Sequence, residues 1–331
     1  MTSRDDRTYF FIEAQIDELC KKTQPGMKFN NPVIGGTFKS PSSGKRQEMD
    51  IYLELNGAYL LLKKSRDVSS TSFITLPFLK LKEISREVDG ETLIGFQLSN
   101  ARGRVEFVTQ NHKAAVAFLD YLRRFCVRSN FAREFETVRV ISQGINSKLF
   151  HVRSLKSGLE FAVKVFDKKP IMTSLQTYEL VRNEVMMLRS VDHEHIVRLE
   201  ELYEGENYLY AVMELFKGPL LFDRIKELRI FSEAYSLFVI KQVLLGLDHI
   251  HSRGLVHRDV KLENILFKSE SLDSKLSLID LGFCVEEWRC MKLVPTCGTP
   301  GYAAPEILRL QNYNRKVDVF SAGVVFYMMS T

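Results

Sequence analysis

The stretch from Leu255 to Glu306 gathers residues whose types suit one chemistry. A carboxylate, Asp259, stands two positions before Lys261 and five before the amide of Asn264. A second carboxylate, Asp280, follows with Leu281 and Gly282 behind it. Phosphoryl transfer needs such a set: an acceptor for the proton of the attacking hydroxyl, a cation near the transferred group, and hard oxygen ligands for a divalent metal.

The run VHRDVKLEN (256–264) resembles the catalytic loop of eukaryotic protein kinases, and IDLG (279–282) followed by AAPE (303–306) resembles their magnesium loop and activation segment. The resemblance implies that Asp259 accepts the substrate proton, Lys261 steadies the transferred phosphate, and Asn264 and Asp280 hold Mg²⁺, with ATP as the donor. Lys261 within DVKLEN implies serine and threonine acceptors on protein substrates. Thr296 is a candidate regulatory phosphosite, since Arg258 beside Asp259 is the residue that receives a loop phosphate in such kinases; the family's phosphothreonine position falls one place earlier, at Pro295. Thr299, in CGTPGY, reads as structural.

Elements upstream must position these groups. FETVRVISQGINSKLFHVR (135–153) reads as strand, turn, strand, where kinases carry a glycine-rich phosphate loop. Of three glycines only Gly144 is kept, Ser142 and Ser147 standing in for the others, and Ile141 and Leu149 flank the turn. FAVK (161–164) follows, so Ala162 would face the nucleotide and Lys164 would anchor its phosphates. A helix over about 175–189, capped by Thr173 or Ser174, places Leu180, Val181, Glu184, Val185 and Leu188 on one face. A carboxylate on an inward face requires a cation, and Lys164 is the partner the resemblance implies for Glu184. YLYAVMEL (208–215) is a buried strand leading to a hinge, where Met213, Glu214 and Phe216 would border the adenine. Leu220 replaces the glutamate of the family's GGELFDRI. Ser232 caps a long helix ending at Arg253-Gly254, with Leu237, Ile240, Val243, Leu244, Leu247 and Ile250 inward.

The first part of the chain has a different texture. Residues 1–26 read as a leader helix, with Ile12, Ile16, Leu19 and Cys20 on one face and a stop at Pro25-Gly26. Residues 27–127 hold strand-like runs, including a hairpin at Asn56-Gly57, and then a helix capped by Asn111 with Ala115, Phe118, Leu119, Leu122 and Phe125 at helical spacing. A small β-barrel-like domain with a C-terminal helix is the expected fold, and its order resembles a pleckstrin-homology domain. By that resemblance Lys39, Lys45 and Arg46 are candidate contacts for anionic membrane lipids, although Ile51 replaces the usual arginine.

The whole is therefore expected to be α+β: a leader over 1–26, a pleckstrin-homology-like domain over 27–127, a linker over 128–134, and a bilobal kinase domain over 135–331 whose C-lobe is incomplete. A pseudokinase scaffold and a lipid- or protein-binding adaptor are the competing functions, since two loop glycines are missing. The 331 residues with 45% hydrophobic content suffice for two cores. Five cysteines without a C-x-x-C pair argue against a disulfide framework or a zinc site and fit a reducing, cytoplasmic setting, while peripheral membrane association is an expectation for the pleckstrin-homology-like part alone. The net charge of +5 lies wholly before residue 131, where 20 Lys and Arg face 15 Asp and Glu. That excess is modest, and no nucleic-acid partner is expected.

Overall fold

The computed structural model describes residues 21–22, 34–41, 48–56, 59–64, 66, 72–88, 90–100, 103–144, 147–229, 231–290 and 297–331. Strands and helices are numbered along the chain. The first strands are β1 (Lys21–Lys22), β2 (Ile34–Pro41), β3 (Glu48–Asn56), β4 (Tyr59–Lys63), β5 (Ser72–Thr75), β6 (Lys80–Val88), β7 (Glu91–Asn100) and β8 (Gly103–Thr109). Helix α1 (His112–Phe125), β9 (Val127–Arg128) and α2 (Phe131–Glu134) follow, then β10 (Phe135–Gln143), β11 (Ser147–Ser154) and β12 (Glu160–Asp167). Next come α3 (Lys168–Thr173), α4 (Leu175–Ser190), β13 (Leu199–Glu204), β14 (Tyr208–Glu214), α5 (Leu221–Leu228) and α6 (Glu233–Ser252). The last elements are β15 (Leu255–Val256), β16 (Ile265–Phe267), β17 (Leu276–Leu278), β18 (Val285–Glu286), α7 (Glu287–Cys290), α8 (Pro305–Leu308) and α9 (Lys316–Ser330).

The chain divides into two compact units, the first made of residues 1–136 with 200–212, the second of 137–199 with 213–331. In the first unit the strands pair in the order β1-β5-β4-β3-β2-β8-β7-β6-β9-β13-β14. The pairs from β5 to β6 are antiparallel, and β2 and β8 meet at Lys39 and Val108. Strands β3 and β4 pair antiparallel as the hairpin signal predicts, but the register keeps Asn56 in the ladder, opposite Tyr59, rather than in the turn. Alternation along the strands sends Leu53, Leu55, Leu60, Ile74, Phe96, Leu98 and Phe107 inward, where Phe118, Leu119 and Leu122 of α1 meet them. The helix starts where its cap chemistry puts it: the Asn111 side chain accepts the Ala114 N–H at 3.0 Å.

Within this unit, 128–134 contains Arg128 of β9 and all of α2. Lys21 and Lys22, at the end of the stretch read as a leader helix, pair with Phe73 and Ser72 as β1, and residues 1–20 lie outside the described ones.

In the second unit β10, β11 and β12 pair consecutively, with Lys164 opposite Leu149. Ser174 is the cap of α4, its hydroxyl accepting the Thr177 N–H at 3.2 Å. Helix α6 packs against α9, β15 and β17. Its buried face is Val239, Ile240, Val243, Gly246, Leu247 and Ile250, whereas Leu237 and Leu244, expected inward, are exposed. No described helix is long and apolar enough to cross a membrane.

Candidate active site

A cleft of about 670 Å³ in the second unit collects most of the residues singled out from sequence. Its walls include Ile141, Ser142, Gly144 and Leu149 from β10, β11 and their turn, Ala162 and Lys164 from β12, and Met213, Glu214 and Phe216 at the end of β14 and just beyond. Asn264 and Asp280 close it on the other side. Sequence reading did not single out Arg139, His151, Glu160, Val197, Lys217 or Ile279, which also line it. The apolar ones were visible only as parts of hydrophobic runs. Glu160 and Lys217 form an ion pair at 3.0 Å that joins positions 57 apart in sequence, so spacing gave no signal for it.

Local chemistry explains each placement. Both faces of β12 are covered, burying Ala162 and Val163, and alternation puts Lys164 on the face of Ala162, where it meets Glu184, which α4 turns inward beside Val181, Val185 and Leu188. The Lys164 ammonium and the Glu184 carboxylate form a salt bridge. Burial works to lower the lysine's pKa, but the negative charges of Glu184 and Asp280 outweigh it and hold the ammonium above the ordinary lysine value. Burial works to raise Asp280, and Lys164 together with the Gly282 N–H, 2.9 Å from Oδ1, keeps its carboxyl below the usual range. Lys164 and Asp280 thus stabilise each other in charged form on one wall of the cleft, while burial pushes the Glu184 carboxyl up.

Asp259 and Lys261 reach that wall through Asn264. The Asn264 amide nitrogen donates to the Asp259 backbone oxygen at 2.9 Å and to Oδ2 at 3.0 Å, which leaves its own oxygen available as a hard ligand. Lys261 lies 2.8 Å from Oδ2 and donates at 2.8 Å to the Thr299 hydroxyl, which in turn donates to Asp259 Oδ1 at 2.6 Å. Thr299 therefore ties the activation segment to the carboxylate, in keeping with a structural role. His257 is fully buried and its Nδ1 accepts the Asp259 N–H at 3.3 Å; burial pushes its pKa down.

Beneath this loop lies Asp318, fully buried on α9. Its two oxygens accept the backbone N–H groups of His257 and Arg258, each at 2.8 Å, and Oδ2 also meets His251 Nε2 at 2.8 Å. Arg258 holds φ at 69°, a left-handed conformation costly for a residue with a side chain. Its guanidinium donates to the Phe283 carbonyl at 2.7 Å and the Tyr313 hydroxyl at 3.1 Å. Thr296 lies outside the described residues, as do Lys45 and Arg46, and Lys39 is described only as a backbone position of β2.

Two glycines at the cleft differ in what they require. A Cβ on Gly144 would find its nearest neighbour, the Ser147 backbone oxygen, at an ordinary 3.4 Å. A Cβ on Gly218 would lie 2.4 Å from the Ser269 carbonyl oxygen and 2.5 Å from that of Phe267.

A nucleoside triphosphate with a divalent metal fits this donor set. The walls are apolar where a base would lie (Ala162, Val197, Met213, Ile279), cationic at Lys164, and end in the amide oxygen of Asn264 and the carboxylate of Asp280. Oxygen ligands of that kind suit Mg²⁺.

Comparison with known proteins agrees with the geometry. Residues 135–331 match the protein kinase domain family. The calcium/calmodulin-dependent protein kinase type 1 of Caenorhabditis briggsae is 37% identical over 202 residues, covering 61% of this chain and 56% of the relative. That of Macrobrachium nipponense is 40% identical over 168 residues, 51% of this chain and 48% of the relative. Calcium-dependent protein kinase 5 of Plasmodium berghei is 38% identical over 174 residues, 53% of this chain and 30% of the relative. The chain spans about half the length of the type 1 relatives it matches. With 135–331 covered by the family and the Lys164, Glu184, Asp259, Asn264 and Asp280 constellation assembled, the chain belongs to the protein kinase domain family.

Proposed function

We propose that this chain transfers the γ-phosphoryl group of ATP to serine and threonine hydroxyls of proteins. The observation that carries the reading is Lys164, paired with Glu184 and electrostatically coupled to Asp280 on the wall of the cleft. Lys164 would bind the phosphates and Glu184 would orient it. Asn264 and Asp280 would hold Mg²⁺, which when bound supplies positive charge to the phosphate oxygens. Asp259, fixed by Asn264, Thr299 and Lys261, would orient the acceptor hydroxyl and take its proton, while Lys261 offsets charge on the moving group. Met213 and Glu214 would border the adenine.

Mg·ATP should raise the unfolding midpoint of the full chain by mass action, about 2.7 kcal/mol at a hundredfold excess over Kd. Lys164→Met should remove most of that shift, because it deletes the cation and leaves Glu184 without its partner. Absence of any nucleotide effect on the unsubstituted chain would favour the scaffold function instead.

We read β2–β8 with α1 as a pleckstrin-homology-like module, supported by its antiparallel strand order and closing helix. Its basic excess supports weak attraction to anionic lipid, on the order of 1 kcal/mol per Lys or Arg near the surface. The full chain should sediment with phosphatidylserine vesicles at low salt and be released at high salt; failure to sediment at low salt would remove lipid from the list of partners.

A further inference from the structure

Arg128, in the first unit, makes contacts that serve neither the strand core of that unit nor the cleft chemistry. Strand β9, which carries it, is only two residues long, yet it stands between two neighbours: Val127 pairs with Lys80 of β6 on one side and Leu202 of β13 on the other, both parallel. So short a parallel pairing supplies few backbone hydrogen bonds, one of them from the Val127 N–H to the Leu79 oxygen at 2.7 Å. The side chain of Arg128 supplies the rest. Its Nη1 donates to Glu201 Oε2 at 2.8 Å and to the Tyr203 hydroxyl, and its Nη2 reaches Glu134 at 2.5 Å and Glu83 at 3.4 Å. The guanidinium carbon also lies 4.9 Å from the Tyr203 ring centroid. Only arginine presents a planar fork able to bind several acceptors at once while stacking on a ring.

The partners come from three elements: Glu83 from β6, Glu134 from α2, and Glu201 and Tyr203 from β13, with Arg128 itself on β9. Three carboxylates converge on one cation, and Tyr203, fully buried, donates to Glu134 at 3.0 Å. Phe131 of α2 stacks on Tyr210 of β14 at 4.2 Å and meets Tyr203 edge-on at 5.5 Å, so β14 is drawn into the same cluster. Three residues after Tyr210, that strand delivers Met213 and then Glu214 to the cleft.

We propose that Arg128 is a positioning residue for nucleotide binding, fixing β13 and β14, the latter being the strand that ends in Met213 and Glu214. The inference rests on the phosphoryl-transfer reading above. Without Arg128 the Glu134 and Glu201 carboxylates lose their shared cation while Glu83 keeps Arg123, and the strand leading to the cleft loosens. Small displacements at a distance from the chemistry can cost an order of magnitude or more.

The test uses the full chain with Arg128→Met, Arg128→Lys, Tyr203→Phe and, as a control, Arg123→Met, which breaks the exposed pairs to Glu83 and Asp120. Measured are KM for ATP and kcat on a protein substrate, and amide hydrogen exchange of 199–214. Arg128→Met should raise KM about tenfold with kcat changed less than about threefold, and should speed exchange in 199–214 while leaving α6 unchanged. Arg128→Lys should restore part of the loss, and Tyr203→Phe, which keeps the ring, should raise KM only a few-fold. Arg123→Met should alter neither. Equal effects of Arg128→Met and Arg123→Met, or unchanged KM and exchange in Arg128→Met, would overturn the proposal. If Arg128→Met does not fold, Arg128→Lys and Tyr203→Phe decide in its place, and unchanged KM and exchange in both overturn the proposal equally. Absence of nucleotide binding in the unsubstituted chain would refute the phosphoryl-transfer reading instead, and exchange in 208–214 would then decide whether Arg128 positions the strand.

Discussion

Asp259→Asn should lower Mg·ATP-dependent phosphorylation of a protein substrate by about 10²–10⁴-fold, the span typical for removal of a positioned acid–base group. The substitution keeps shape but replaces one of two acceptor oxygens by a donor. In the native site both oxygens are engaged, Oδ1 by Thr299 and Oδ2 by Lys261 and Asn264, so an amide nitrogen must face a donor on one side or the other. The cleft is lined by other residues, and the nucleotide-induced rise in the unfolding midpoint should therefore persist. That combination separates loss of chemistry from loss of fold. Activity within about threefold of the unsubstituted chain would show that Asp259 is not the proton acceptor.

The second large effect is on stability. Asp318→Ala should cost roughly 3–5 kcal/mol, read as a fall in the urea midpoint of the full chain, because it removes the acceptor for three groups in a fully buried place. Two are backbone N–H groups that no longer reach water. The third is His251 Nε2. The left-handed Arg258 lies in the same turn and persists only while its neighbours hold it, so the loop should relax once Asp318 is gone. Phosphorylation should fall as well, since Asp259 is the next residue. A loss below about 1 kcal/mol would mean that water or another side chain takes over the acceptor role.

Where the fold and site were legible in sequence, one physical signal sufficed. Asn111, Ser174 and Ser232 each cap the helix they precede, because a short side-chain acceptor before an amphipathic run has one favourable use. Glu184 among apolar neighbours of α4 announced a buried partner, and Lys164 is that partner. Periodicity failed where too much of a helix is apolar. Along α6, with leucines, valines and isoleucines on nearly every side, spacing alone could not choose the face, and Leu237 and Leu244 turn outward while Val239 and Gly246 turn in. Leu180 of α4 is likewise 46% exposed because packing favours Val181 and Val185 beside it.

The segment 128–134 was unreadable for a different reason. Polar, short and between two domain-like textures, it has the composition of a linker. What gives Arg128 its place is the company of Glu83, Glu134, Glu201 and Tyr203, which lie between 6 and 75 positions away in sequence. No local pattern encodes such a meeting. The Glu160–Lys217 pair escaped notice on the same grounds.

The two glycines of the cleft set how far this sequence can drift without rebuilding its neighbours. Gly144 has room for a methyl group, so the turn that has already replaced two glycines by serines could give up the third at little steric cost. Gly218 has no such latitude. Both atoms that would oppose a side chain there are main-chain oxygens, of Phe267 and Ser269, and the Phe267 N–H is itself bound to the Pro219 carbonyl at 3.0 Å. Main-chain oxygens cannot swing aside as a side chain can, so any side chain at position 218 would force the backbone at Phe267 and Ser269 to move.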